Sequence, residues 1–267
     1  MNETGLKPFL NCAQQRVAGS GGVPPSPKLP PLRQLLFIRE TLYAMPDKER
    51  KEIRNMDLLI RNECSEDFRT VEELTRDAFW NLHVPGCDEH YLVHLMRSHP
   101  DFLPKLDFVA VLDNRIVGNI MFTKSRLINE NNLNLDTITF GPVSVLPESQ
   151  KKGIGSAIIK HAIKNAVNTG FKVIIIEGHP YNYCKHGFVG SKSVNVYDSE
   201  GRFPYSLLVL ELEKGCLQNH EWKFQPSDVY NIDEKGFNEY DKHFPPKEKG
   251  YKTSQEEFNI ASKAFIE

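Results

Sequence analysis

One block of this 267-residue chain constrains the fold more than any other. It begins with an apolar strand, Thr137–Val145, and continues into the loop PESQKKGIG at 147–155. Within Lys151–Asn168, residues Ile154, Ile158, Ile159, Ala162, Ile163 and Ala166 recur at helical spacing and make one apolar stripe. Gly170 supplies a helix stop. The β-branched run Val173–Ile176 then reads as a strand buried on both faces. Strand, helix, strand in that order predicts a right-handed parallel crossover, because a twisted strand feeding a right-handed helix packs back only that way.

The flanking elements extend the pattern. Asp57–Arg61 is strand-like, Ser65-Glu66-Asp67 is a capping signal, and an amphipathic helix follows to Phe79. A second helix is predicted over Glu89–Arg97, with Leu92, Leu95 and Met96 on one side. Phe108–Leu112 and Ile116–Phe122 flank an Asp113-Asn114 turn and predict a hairpin. Asn129–Asn134 reads as a polar loop, and Gly141-Pro142 predicts an edge position or a bulge in its strand. Asn182–His186 reads as a turn or short helix, and Phe188–Val196 and Leu207–Leu212 as the last strands. The class is a mixed α/β sheet with helices on both faces. Three segments are expected: residues 1–55 as an extension, 56–214 as the domain, and 215–267 as a C-terminal extension packed on the domain or trailing it. The first has five prolines between Pro24 and Pro31, an expected disordered or polyproline character and a short helix near 32–53. Met56 reads as a natural start, so residues 1–55 are expected to be a mobile extension or a leader created by an upstream start, with a genuine small regulatory arm as the alternative. Beyond Gly215 the sequence is polar and aromatic with little periodicity.

A formal net charge of −2 argues against a nucleic-acid binder that works by bulk charge. The longest apolar run is far too short to cross a bilayer, so no membrane partner is expected. The five cysteines, Cys12, Cys64, Cys87, Cys184 and Cys216, are widely spaced without a CxxC. They read as free thiols in a reducing cytoplasm.

The loop carries the chemistry. A helix N-terminus leaves its first amides without partners, and the dipole adds partial positive charge. Gly153 and Gly155 expose those amides, Lys151 and Lys152 add full charge, and no acidic residue occurs from Lys151 to Thr169. Such a terminus suits an anion, a diphosphate above all. A lone GxG more often serves close helix packing; the strand before it and the buried strand after it shift the balance. A Walker A loop is absent, and the third glycine of a Rossmann fingerprint is missing, which counts against an NAD-dependent oxidoreductase.

Val143-Ser144-Val145-Leu146-Pro147-Glu148-Ser149-Gln150-Lys151-Lys152-Gly153-Ile154-Gly155 resembles the signature loop of the GNAT N-acetyltransferases, [QR]xxG[IL][GA] after an apolar strand. Tyr183-Cys184-Lys185-His186-Gly187-Phe188 resembles their second motif, Tyr-x-x-x-Gly-Phe. The resemblance runs from about Asp57 to Leu212 and is closest to a bacterial subgroup with a Glu-Gly-His-Pro or Gly-Asp-Pro type turn before the tyrosine. It implies a mostly antiparallel sheet of six to seven strands and acetyl-CoA as acetyl donor, with no metal. It implies that Val143, Ser144 and Val145 splay from strand 172–177 and pair with the pantetheine arm. It further implies that amides from Gln150 through Lys151, Lys152, Gly153, Ile154, Gly155 and Ser156 cradle the pyrophosphate, and that strand-end amides lie near the thioester carbonyl. By the same resemblance, helices within 66–98 and loops near 125–136 shape the acceptor site, and a homodimer through the last strands is possible.

Tyr183 is the candidate general acid, since a phenol with pKa near ~10 can protonate a departing thiolate. Glu177, ending the buried strand, is either a base for the acceptor amine or an ion partner for a nearby group. His179 before Pro180 reads equally as a turn residue. Cys184 lacks an evident activating base, so direct transfer to a primary amine in a ternary complex is favoured over an acyl-cysteine route. His90 and His94 are four apart, but no zinc-protease pattern surrounds them and a helix face is the expected role. A non-catalytic acyl-CoA sensor is the alternative function.

Overall fold

The computed structural model describes residues 57–267; the expected extension, its helix near 32–53 and Cys12 lie outside them. Along the chain come β1 (Leu58–Asn62), α1 (Phe68–Phe79), α2 (Glu89–Met96), β2 (Phe108–Leu112), β3 (Arg115–Asn129), β4 (Asn134–Val145) and α3 (Ile154–Ala166). They are followed by β5 (Val173–Glu177), α4 (Pro180–Tyr183), β6 (Val189–Gly190), β7 (Val196–Tyr197), β8 (Leu207–Glu211), β9 (Trp222–Gln225), α5 (Glu234–Asp241) and α6 (Thr253–Ser262). No described helix is long and apolar enough to cross a membrane.

The nine strands form one sheet, with a main path β1-β2-β3-β4-β5-β8-β6. Neighbours are antiparallel except β4 with β5 and β7 with β9. The expected six to seven strands match the main path; β7 and β9 are additional. β9 comes from the region beyond Gly215 and pairs with the far half of β3, Arg126–Asn129. Trp222 and Phe224 are buried while Lys223 and Gln225 are exposed, a two-residue alternation too short to register against the polar surroundings. The expected strand Phe188–Val196 is instead two short strands around a 3₁₀ turn, Ser191–Val194, that ends on left-handed Asn195 (φ 53°). That turn brings the main path back through β7 and β9 to β3, so the sheet curls on itself. Leu127, Val173, Ile175, Val196, Leu207, Val209, Leu217, Trp222 and Phe224 fill the curl as one apolar cluster.

Alternation along β3 assigns the two faces. Asn119 meets Thr75 of α1, whereas a Cβ on Gly118 would lie 2.8 Å from Ile158 of α3. Consecutive residues point to opposite faces, so α1 and α2 cover one side of the sheet and α3 the other. Met121, on the α1–α2 face, packs with Leu92, Val93, Met96 and Val229. The Gly118 position is also close to the Ser144 carbonyl (2.9 Å), which explains a glycine inside a long strand.

The C-terminal segment packs on α1 and its following loop. Arg76, only 3% exposed, pairs with Asp241 at 2.8 Å, and the buried His90 ring lies 3.0 Å from the same carboxylate. Phe244 is buried beneath Arg69, and the Pro245 carbonyl accepts from Arg76. The Lys242–Pro246 stretch is thus a docking element. Elsewhere, Arg97 bridges buried Glu63 and Glu72. Burial, reinforced by the Glu63 charge, pushes the Asp107 carboxyl well above the carboxylate range.

Candidate active site

β4 follows β3 through its whole length, but pairs with β5 only at Ile138–Ile174 and Thr139–Ile175. Beyond Thr139 a bulge interrupts the β3–β4 register: Ile120 faces Val143, yet Phe122 faces Phe140, leaving Gly141 and Pro142 opposite Met121. Gly141-Pro142 therefore marks a bulge in a central strand and not a sheet edge. Where the ladder with β5 ends, Val143, Ser144 and Val145 run on beside β3 and leave a slot between β4 and β5. Ser144 is buried; its hydroxyl donates to Thr75, which donates to Asn119, tying this stretch to α1 and β3.

The loop into α3 is wound by two left-handed residues, Lys151 (φ 60°) and Gly153 (φ 83°). α3 starts at Ile154, three residues later than the sequence pattern indicates, because neither conformation continues a helix. Gly153 is therefore the N-cap. It has no side chain to bond the first-turn amides, and the first intrahelical bond runs from Ala157 N–H to the Gly153 carbonyl. The amides of Ile154, Gly155 and Ser156 are left for another acceptor. Gln150 donates its side-chain amide to the Val145 carbonyl at 3.0 Å, and Lys152 donates to the Glu148 carbonyl at 2.7 Å. These two side chains brace the loop, while Lys151 is exposed beside it. The terminus combines bare amides, the helix dipole and cationic flanks, so its donor set fits a diphosphate.

Tyr183 and Glu177 lie on different faces of the sheet. Glu177 shares its face with Val173 and Ile175 by the two-residue period of β5, hence the α1–α2 side. Paired Thr139 lies on that face too, and its hydroxyl donates to Ser125, which contacts Thr137. Tyr183 packs near Phe140 (5.8 Å between ring centres) and Phe188 (6.1 Å). Phe140 pairs with Phe122, on the α3 side of the sheet. A Cβ on Gly178 would come within 2.5 Å of the Tyr183 ring, so the glycine makes room for it. His179 caps α4, its Nδ1 accepting from the Tyr181 amide, which accounts for it as a turn residue.

The electrostatics follow from these positions. Glu177 is exposed but stands in dense protein surroundings, and that desolvation, with the Asp198 charge, raises its carboxyl. Burial pushes the Tyr183 phenol up to about 12. Tyr230, which the sequence pattern did not bring out, lies on the Glu177 side and is likewise pushed up to about 12 by burial, with Glu177 adding to the shift. Cys184 is exposed, and among the described residues no hydrogen bond links its thiol to a base. His90 and His94 separate: His90 is buried against Asp241, and His94 contacts Glu72 at 3.2 Å. A separate groove of about 450 Å³ runs along α1 and the β2–β3 hairpin, lined by Arg61, Asp67, Glu73, Asp77 and Arg115 among others. None of the candidate catalytic or cofactor-binding residues lines it, although Asp67, Glu73 and Asp77 belong to the 66–98 stretch expected to shape the acceptor site.

Comparison with known proteins agrees with this geometry. Residues 72–188 match the family model described as the Acetyltransferase (GNAT) family. An uncharacterized N-acetyltransferase of Escherichia coli strain K12, YjhQ, is 32% identical over 85 residues, covering 32% of this chain and 46% of that protein. The aligned stretch thus spans about half the length of this curated relative. Among solved structures, the GNAT-family N-acetyltransferase YhbS from Escherichia coli, in complex with CoA, superposes with a TM-score of 0.56 at 19% identity, covering 66% of this chain and 93% of that one. A GNAT-family acetyltransferase from Brucella melitensis, in complex with acetyl-CoA, gives 0.51 at 20% identity, covering 65% and 97%. Both likenesses concern the fold. A slot between parted strands, an uncapped helix N-terminus after the first of them and the match over 72–188 agree: residues 72–188 carry the pattern of the Acetyltransferase (GNAT) family, on a fold shared with solved members of that family.

Proposed function

We propose that this chain is an acetyl-CoA-dependent N-acetyltransferase that moves the acetyl group to a primary amine by direct attack in a ternary complex. One observation carries the proposal. The β4–β5 ladder stops at Thr139–Ile175, and the strand that leaves it runs directly into the uncapped N-terminus of α3. A donor with a diphosphate at one end and an extended arm at the other fits that arrangement: first-turn amides for the diphosphate, Val143–Val145 for the arm. The CoA and acetyl-CoA complexes of the two structural neighbours support the same donor.

The two faces of the slot divide the proton traffic. Glu177, on the α1–α2 face, takes a proton from the incoming ammonium, directly or through one water; its raised carboxyl is a stronger base than an ordinary one. The amine nitrogen forms its bond to the thioester carbon while the carbonyl electron pair moves onto oxygen. As the carbonyl re-forms, the carbon–sulfur bond breaks toward the α3 face. There Tyr183, held protonated by burial, delivers its phenolic proton to the departing sulfur. The remaining ammonium proton of the adduct leaves through water, from which Tyr183 is reprotonated. Acid and base on opposite faces of the sheet keep the two proton transfers apart, so neither group can simply exchange its proton with the other. The negative charge of Glu177 also favours a cationic acceptor at that face. The free thiols Cys64, Cys87, Cys184 and Cys216 are in keeping with a cytoplasmic setting.

Isothermal titration with acetyl-CoA tests the donor, and release of free CoA thiol across an amine panel tests the transfer. Saturable binding followed by amine-dependent thiol release is expected. No binding at millimolar acetyl-CoA would sink the proposal; binding without turnover on any amine would turn it toward a non-catalytic sensor.

A further inference from the structure

The 3₁₀ turn Asp228–Tyr230 lies beyond the stretch that matches the family, yet it is anchored beside the slot. The Ser227 hydroxyl donates to Asp101 at 2.8 Å, and His99 Nε2 lies 2.9 Å from Asp228. Val229 is buried among Leu92, Val93, Met96 and Met121. These contacts hold the turn against the end of α2 and against β3. They deliver the Tyr230 ring to the α1–α2 face, where its hydroxyl accepts from Thr123 (3.3 Å) and donates to the carbonyl of Gly141 (3.4 Å).

Gly141 is the residue at which β4 bulges away from β5. Its carbonyl falls past the last β4–β5 pair, so the strand ladder gives it no partner on that side. The next residues on the strand, Val143–Val145, are those whose amides the proposed donor would meet. We propose that Tyr230 is a positioning residue of the transfer site: by holding the Gly141 carbonyl it sets the bulge, and so aims the following β4 amides at the thioester oxygen. The segment after the family match thereby completes the site from outside the family's own core. Donors that polarise a carbonyl must be fixed before reaction to be worth their full effect, and a bulge without a clamp would leave them free to shift.

The inference rests on acetyl-CoA being the donor, and its test needs no acceptor. The 13C resonance of [1-13C]acetyl-CoA bound to the full chain reports how strongly the protein polarises the thioester carbonyl. With the unaltered protein, a resonance displaced from that of free acetyl-CoA is expected. In Tyr230→Phe, affinity should stay within about twofold, the melting temperature should be unchanged, and the resonance should move back toward the free value. Thr123→Val, which removes the donor to Tyr230 and keeps the Gly141 contact, should move it in the same direction by less. An unmoved resonance in Tyr230→Phe overturns the inference and leaves the donor assignment standing. So does a shift accompanied by parallel losses of affinity and melting temperature, since that describes a structural residue. Absence of acetyl-CoA binding to the unaltered protein overturns both.

Discussion

The part of the slot proposed for the donor is one continuous piece of chain, residues 137–177, in which strand, loop, helix and strand follow without interruption. The side proposed for the acceptor is assembled from distant pieces: Glu177 from β5, Thr123 from β3, Tyr230 from the turn before α5, with Val229, Asp241 and Phe244 docked on α1, α2 and β3. The first is held by local backbone geometry and a helix-to-sheet seam. The second is held by long-range burial and a few buried polar contacts. A donor common to many enzymes needs only a fixed local frame, whereas an acceptor pocket can be rebuilt by changing what packs on that frame.

The largest expected effect strikes the docking of the C-terminal segment. Asp241→Ala leaves the Arg76 guanidinium buried and unpaired, with a cost of about 3–5 kcal/mol. Chemical unfolding should show that loss; a change under 1 kcal/mol would mean that the segment is not integral to the acceptor side. Next is Glu177→Gln, expected to lower kcat by about a hundredfold or more if Glu177 is the base. A base works deprotonated, so activity of the unaltered enzyme should rise with pH through the elevated Glu177 value, and the variant should lose that limb. A limb that survives in the variant moves the base elsewhere.

A smaller effect probes the donor side. Gly178→Ala places a methyl against the Tyr183 ring and should displace the acid, reducing turnover about tenfold with little change in acetyl-CoA affinity. Equal losses in both would show that the ring serves the bound donor more than proton delivery. The smallest is Asp107→Asn, far from the slot. The native carboxyl holds its proton above the pH at which the unfolded chain releases it. Its stabilisation is therefore fully present below the ordinary carboxylate pKa and is lost as pH rises through the elevated native value. The variant should show a flatter dependence of unfolding free energy on pH over that window, measured by urea titration; an identical slope would place the proton elsewhere in the Glu63–Asp107 pair.

The contrast between the two sides also explains what could be read beforehand. The crossover was legible because its apolar stripe, its stop at Gly170 and its β-branched strand are repeated signals over many residues. The start of α3 was displaced because Lys151, a residue type with no special liking for left-handed backbone, adopts it under tertiary constraint. The bulge at Gly141-Pro142 was one of two readings, and the pairing of β4 on both sides selected it. β9 and the Tyr230 turn left almost no trace. Two alternating aromatics and one Ser cap are weak local signals, and their burial depends on partners roughly a hundred positions away in sequence, where loop-closure entropy and not periodicity sets the cost.

By itself, the sequence determined the strand–helix–strand unit, the anion-suited loop and the resemblance that follows from them, since each depends on neighbours along the chain. Tertiary structure alone decided that Glu177 and Tyr183 lie on opposite faces of the sheet, that the sheet curls through β7 and β9, and that Tyr230 reaches the bulge. Those facts rest on side-chain alternation combined with strand register and long-range packing, which fix direction in space only after the chain has closed on itself.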